Sequence, residues 1–329
     1  MVKAIIVGLG PLGQKVAHFA LQRKCIKLVG AVDIAPELVG KDLGSVIGVK
    51  KMGLRIAGDV KTALGRKKAD VAVLTTVSSI KALEPQIAGI AAQKLNIVST
   101  CEELSFPWRR AKASARRIDA VCRKAGVACL GTGVNPGFLM DFLPAILTAV
   151  NQDVRKIVVE RVQDASTRRI PFQKKIGAGL TRTEFKKRAD DGSLRHVGLL
   201  ESVDMIAHAM GWTLTDTKET LRPVIAEKRI TSGHLPIAPG MACGVEQIGR
   251  GYIGRKQVIT LHFRAAVGEP KSYDQARIEG RPKIVSTIEG GVNGDIATCA
   301  IVLNAAHAIL GASPGLKTML DVPAVTFRR

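Results

Sequence analysis

Two consecutive acids, Glu102 and Glu103, follow the apolar run Leu95-Asn96-Ile97-Val98-Ser99-Thr100-Cys101 and stand just ahead of Phe106 and Trp108. A carboxyl group in apolar company is suited to taking and giving a proton. Adjacent side chains diverge, so one of the pair is expected to face a site, and spacing alone does not say which. Both also read as first-turn helix acids that complement the macrodipole. A second constellation opens the chain. Ala4-Ile5-Ile6-Val7 leads directly into Gly8-Leu9-Gly10-Pro11-Leu12-Gly13, and Ile26 to Val32 ends in Asp33.

In a G-x-G-x-x-G turn between a strand and a helix, Gly8 permits the tight turn, Gly10 lets a pyrophosphate reach the backbone, and Gly13 lets helix and strand pack closely. Pro11 and Leu12 carry the loop into the helix, whose first N–H groups face an anion. A chain with 33 glycines produces such spacing by chance. The preceding strand and the later acid make it specific. Asp33 is placed to accept both ribose hydroxyls of an adenosine dinucleotide and to repel a 2′-phosphate. No Arg follows it directly. NAD(H) is therefore the expected cofactor, with NADP(H) possible.

These residues need a scaffold, and the next hundred positions supply its pattern. Ala69 to Thr76, Leu95 to Thr100 and Val127 to Leu130 read as buried strands, separated by helical stretches over Lys81–Lys94 and Arg109–Lys124. Alternation of this kind gives an α/β fold, a Rossmann doubly wound parallel sheet whose ligands bind at the carboxyl ends of the strands. That rule places Thr75, Thr76, Ser99, Thr100 and Cys101 beside the dinucleotide. Ser78 or Ser79 alternatively caps a helix. Asn135, in Gly131-Thr132-Gly133-Val134-Asn135-Pro136-Gly137-Phe138, is a candidate for the nicotinamide carboxamide, although Asn-Pro-Gly is also ordinary turn chemistry. A helix is expected over Leu139–Val150, with Asp141 one turn inside it.

The second half reads differently. Lys156–Val162, Gln257–Ala266 and Ile284–Glu289 are strands with polar positions, the mark of a mixed or antiparallel sheet with one covered face. With a helix over Leu199–Met210 they make a second α+β domain and the wall of a substrate cleft. The last helix, from Asp295 through Ala308, is expected to return to the first domain. The division is then residues 1–135 with 295–329 for the dinucleotide, and 136–294 for substrate and oligomerisation.

Composition narrows the class. The chain has 329 residues, 46% hydrophobic and 23% charged, which suits two domains with proper cores. No apolar run reaches the roughly 18–20 residues of a membrane span, and the apolar opening is too short for a secretory signal, so a cytoplasmic protein is expected. Six scattered cysteines include no C-x-x-C pair, so neither a disulfide framework nor a metal site is indicated. The net charge of +21 invites a nucleic-acid reading. Aromatics at 4% are too few for base stacking, and the basic clusters are solvated helical faces. Nucleic acid is not the expected partner, and a dinucleotide sensor that binds polyanions stays as the non-enzymatic alternative.

The run from GLGPLG through AVDIAPELVGKDLG resembles the nucleotide-binding half of the dihydrodipicolinate reductase superfamily. Ser99-Thr100-Cys101-Glu102-Glu103, Thr132 to Phe138, Lys175-Ile176-Gly177-Ala178-Gly179, Arg195 to Ser202 and Gly294-Asp295-Ile296-Ala297-Thr298 resemble the 2,4-diaminopentanoate dehydrogenases and related native amine dehydrogenases. The resemblance implies reversible NAD(P)-dependent oxidative deamination of a small amine or amino acid, with Glu102 or Glu103 carrying the proton chemistry, and a homodimer. The paired-histidine motif and the Lys-x-Asp-Ala-Pro-Ser-Gly-Thr loop of true dihydrodipicolinate reductases are missing, which leaves reduction of a cyclic imine as the rival activity. Substrate contacts are expected at Phe138, Gly177 and His196. Arg161, Arg168 and Arg169 are candidates to hold a carboxylate.

Overall fold

The structure is a computed structural model that describes residues 1–168, 170–233 and 236–329. Arg169 therefore lies outside the described residues. The chain divides into two compact units, Met1–Phe138 with Asn293–Arg329, and Leu139–Val292.

In the first unit, β1 (Val2–Val7) is followed by α1 (Pro11–Leu21), β2 (Ile26–Val32), α2 (Leu43–Val46), β3 (Ile56–Ala57) and α3 (Val60–Leu64). Then come β4 (Val71–Leu74), α4 (Ile80–Ala92), β5 (Asn96–Ser99), α5 (Lys112–Ala125) and β6 (Ala128–Gly131). After the second unit the chain returns as α10 (Gly294–Ala308) and β13 (Gly315–Lys317), the labels in between belonging to that unit. All seven strands are parallel, in the order β13-β6-β5-β4-β1-β2-β3. The order reverses between β1 and β4, so their carboxyl ends open a crevice where loops diverge to opposite faces.

Strands this apolar need cover on both sides. Ile80, Leu83, Ile87 and Ile90 of α4, with Ala115, Ile118 and Cys122 of α5, bury one face in a core shared with Ile5, Leu74 and Ile97. α1 and α10 pack together, and α10 also touches β1, β4 and β5. The stretch Gly294–Gly311 is long and apolar enough to cross a membrane by length and composition, with a mean hydropathy of 1.4, a length no segment was expected to reach. Here Cys299, Val302, Leu303, Ala305 and Ala306 of that stretch are buried, as a core helix in contact with a sheet requires.

The second unit contains α6 (Phe142–Leu147), β7 (Asp153–Asp164), α7 (Ile170–Lys175), α8 (Arg182–Asp190), α9 (Leu199–Ala209) and β8 (Asp216–Ile225), then β9 (Ala242–Ile253), β10 (Lys256–Ala266), β11 (Tyr273–Arg281) and β12 (Ile284–Glu289). Its sheet runs β12-β11-β7-β10-β9-β8 and is mixed, with β7 and β10 parallel and the other neighbours antiparallel. α9 lies on β9 and β10. Two glycines let it approach: a Cβ at Gly249 would stand 3.2 Å from Leu199 Cγ, and one at Gly251 would stand 3.0 Å from Val203 Cγ1.

Candidate functional site

The glycine loop after β1 shows three separate reasons for its three glycines. Gly8 has φ +93°, and a Cβ there would meet Thr76 Cγ2 at 2.7 Å. At Gly13 a Cβ would lie 1.9 Å from the Gly8 carbonyl oxygen, so the start of α1 can sit on the strand end only without a side chain. Nothing lies within 4 Å of a Cβ placed on Gly10. That open side borders a cleft of about 640 Å³ whose wall includes Gly8, Gly10, Asp33, Thr75, Thr76 and Gln86. Gly10 is the N-cap of α1, no side chain caps that helix, and Pro11 occupies its first turn without an N–H to satisfy. Backbone N–H groups at such a helix start suit a phosphate.

Asp33 ends β2 at the wall of this cleft. Its Oδ2 accepts from Leu9 N–H at 2.6 Å and its Oδ1 from Ala35 N–H at 2.9 Å. The carboxylate thus ties the glycine loop to its own strand end, and each oxygen keeps a second lone pair. Thr75 donates to the Gly8 carbonyl at 2.8 Å and so holds the loop, while Thr76 donates to Gln86 Oε1 on α4 at 2.7 Å. Gln86 was not foreseen. It lies between two apolar helix positions, Leu83 and Ile87, and only the Thr76 bond marks it out. These residues fit a dinucleotide, and the fit rests on the side-chain-free space at Gly10 beside the Asp33 carboxylate.

At the carboxyl end of β5 the chain turns at once into a 3-10 turn over Glu102–Leu104. This turn separates the two acids. Glu103 Oε2 accepts from Ile80 N–H, the first residue of α4, at 3.0 Å. Ser79, the N-cap of α4, makes no capping bond with its own side chain, so Glu103 does that work. The Glu102 carboxylate is half-buried and has no hydrogen-bond donor among the described residues. Its backbone carbonyl accepts the Ser105 hydroxyl at 2.8 Å, which fixes the turn.

Ser99 is buried, and its Oγ accepts from Cys101 N–H at 3.2 Å. Thr100 continues the ladder by donating its N–H to the Leu74 carbonyl at 3.1 Å. Cys101 donates its thiol to the Ser78 carbonyl at 3.0 Å, and burial pushes that thiol up to about 12, so it stays protonated. Asn135 is buried in the Thr132–Phe138 loop, ahead of a cis peptide bond to Pro136, and Phe138 closes the loop half-buried. Thr298 of α10 pins this loop by accepting from Val134 N–H at 3.4 Å. Asp141, expected inside a helix, instead caps one: its Oδ1 accepts from Phe142 N–H at 2.6 Å and its Oδ2 from the Ser202 hydroxyl at 2.8 Å.

The first unit thus brings together Gly8, Gly10, Gly13, Asp33, Thr75 and Thr76, with Ser99 to Glu103 at the end of β5 in the same sheet. Arg161, Arg168, Gly177 and His196 belong to the second unit. Arg161 lies on β7, almost fully buried, donating to Asp274 Oδ1 at 2.5 Å and to the Val292 carbonyl at 2.9 Å. Arg168 is buried over the Phe172 ring at 4.0 Å. Gln173 donates to the carbonyls of Ala165, Ser166 and Arg168, which sets the path of the segment that carries Arg168. A Cβ on Gly177 would press into Leu194 and Phe185. That glycine is needed for packing.

His196 is held through its backbone by both ends of the Gln247 amide, at 2.7 and 3.0 Å, and its ring leans on Phe263 at 4.5 Å between centroids. Burial, then Lys175 and Arg161, push its pKa down from 6.5 to about 3. The sign follows directly: a histidine kept neutral in the fold contributes stability that is complete above pH 6.5 and is lost as pH falls toward about 3, because the unfolded chain takes the proton first. Urea midpoints measured across this window should fall with pH, and more steeply for the parent protein than for His196→Gln.

Residues 2–101 match the family described as dihydrodipicolinate reductase, N-terminus, and residues 138–327 match the 2,4-diaminopentanoate dehydrogenase C-terminal domain. The chain is 31% identical to 2,4-diaminopentanoate dehydrogenase from Acetoanaerobium sticklandii, over 98% of this chain and 93% of that one. It is 21% identical to an amine dehydrogenase from Streptomyces virginiae, over 98% of this chain and 96% of the relative. Among solved structures, amine dehydrogenase from Mycobacterium smegmatis shares the fold with a TM-score of 0.86, at 22% identity, covering 99% of this chain and 97% of that one.

Proposed function

The chain belongs to the 2,4-diaminopentanoate dehydrogenase family, and from that premise we propose that it interconverts a small amine or amino acid with the corresponding carbonyl compound, using NAD(H) and the Glu102 carboxylate. It is an NAD(P)-dependent oxidoreductase of a carbon–nitrogen bond. The observation that carries the finer reading is the unequal fate of the two acids. Glu103 is spent on the start of α4, and Glu102 stands at the same strand end without a donor among the described residues.

The dinucleotide supplies the hydride acceptor in deamination and the donor in amination. Gly8, Gly10, Gly13 and the start of α1 would hold its pyrophosphate, and Asp33 its adenosine ribose. In the aminating direction ammonia adds to the carbonyl carbon to give a carbinolamine, which must lose water. Glu102 as the acid gives a proton to the departing hydroxyl. As carboxylate, it then balances the charge of the iminium that remains. In deamination it takes the proton back from the attacking water.

Amines and amino acids offered with NAD+ and followed by absorbance should show turnover. Reduction of a cyclic imine by NADH without ammonia, with no turnover of any amine or amino acid, would replace this reading with that of an imine reductase.

A further inference from the structure

The end of α10 and the segment after β13 border an open cavity of about 200 Å³, lined by Asn304, His307, Ala308, Pro323, Thr326 and Arg328 among others. Among the described residues no carboxylate side chain lines it. Its polar side chains are all able to donate. The Asn304 carbonyl oxygen is already taken by the Arg23 guanidinium, which leaves the amide N–H groups to face outward. His307 Nε2 is buried with no hydrogen-bond partner among the described residues. Thr326 and Arg328, both exposed, complete the polar lining.

The arrangement is anchored. Arg23 stacks over Phe327 at 5.3 Å from the ring centroid, and the Cys25 thiol donates to the Arg328 carbonyl at 3.3 Å. Arg23 and Arg328 are thereby held beside the same short segment. A buried polar atom without a partner costs on the order of 1–3 kcal/mol, and clustered cations add repulsion.

We propose that this cavity is a binding site for a small oxyanion, of phosphate or carboxylate chemistry, held by His307, Asn304, Thr326 and Arg328 with Arg23 behind them. The volume suits such an ion and is too small for a dinucleotide. The electrostatics agree. Burial, then Arg328, the chain's amino group and Arg23, pull His307 below its ordinary value, and every charged group bearing on it is a cation. An anion there reverses that pull.

The test is the histidine resonances of the full-length protein titrated with inorganic phosphate, with succinate, and with chloride at matched ionic strength. The His307 signal, assigned by its loss in His307→Gln, should move saturably with phosphate or succinate and its titration midpoint should rise. Arg328 is exposed, so Arg328→Gln is expected to fold, and it should weaken the ion about tenfold. Comparing phosphate with succinate identifies which anion the cavity prefers. A response equalled by chloride, or one that Arg328→Gln leaves unchanged, overturns the site. Neither outcome depends on turnover, so this proposal and the dehydrogenase reading fail separately.

Discussion

Replacing Glu102 by Gln should lower kcat for oxidative deamination by about 10²–10³, the usual worth of a positioned general acid–base group, with little change in the affinity for NAD+. The substitution keeps the shape of the side chain and removes its proton chemistry. Glu103→Gln is the control the structure provides. Its amide oxygen can still accept from Ile80 N–H, so α4 keeps its first bond, and only the charge facing the helix start is lost. That costs below about 1 kcal/mol, visible as a small fall in Tm, with turnover largely retained. The opposite result, in which Glu103→Gln abolishes turnover and Glu102→Gln does not, would put the chemistry on the other acid. Full activity in both variants would remove the carboxylate from the reaction.

The sequence could not choose between these acids, and the reason is geometric. Adjacent side chains diverge in any backbone, but the direction of divergence depends on a 3-10 turn only three residues long, and the partner that claims Glu103 lies 23 positions earlier. Contacts that distant leave no local pattern. The opening of the chain was legible for the opposite reason. The strand, glycine turn, helix and acid are each set by neighbours in sequence.

In the second unit, β7, β10 and β12 were readable from alternation, whereas β8, β9 and β11 were not. Gly244, Gly249 and Gly251 break the apolar pattern of β9, yet those positions are where Ala265, Leu199 and Val203 press against the backbone. In β11 the inward position expected to be apolar is Asp274, buried because Arg161 and the Val292 N–H satisfy it. A buried ion pair looks polar in sequence and becomes an interior feature only when its partner is known. Asp141 was misplaced for a similar reason, since its second bond goes to Ser202 on α9.

Replacing Asp33 by Ala should raise the KM for NAD+ by about 10² and leave NADP+ much less affected, so that the preference between them collapses. A carboxylate that accepts from two ribose hydroxyls supplies charge-assisted bonds of about 1.5–3 kcal/mol each, and losing two at the lower figure costs roughly 3 kcal/mol, or about two powers of ten. Part of the loss arises in the protein itself, because Leu9 N–H and Ala35 N–H give up their acceptor and the glycine loop is no longer tied to β2. That part falls equally on both cofactors. The ratio of the two kcat/KM values therefore isolates the ribose contact from the loop. Ile34, next in the chain and 85% exposed, offers the complementary change. An arginine introduced there, with the neighbouring carboxylate removed, would meet a 2′-phosphate with a guanidinium fork, and the double variant Asp33→Ala, Ile34→Arg should favour NADP+. If Asp33→Ala weakens NAD+ and NADP+ to the same extent, Asp33 only braces the loop and does not read the ribose.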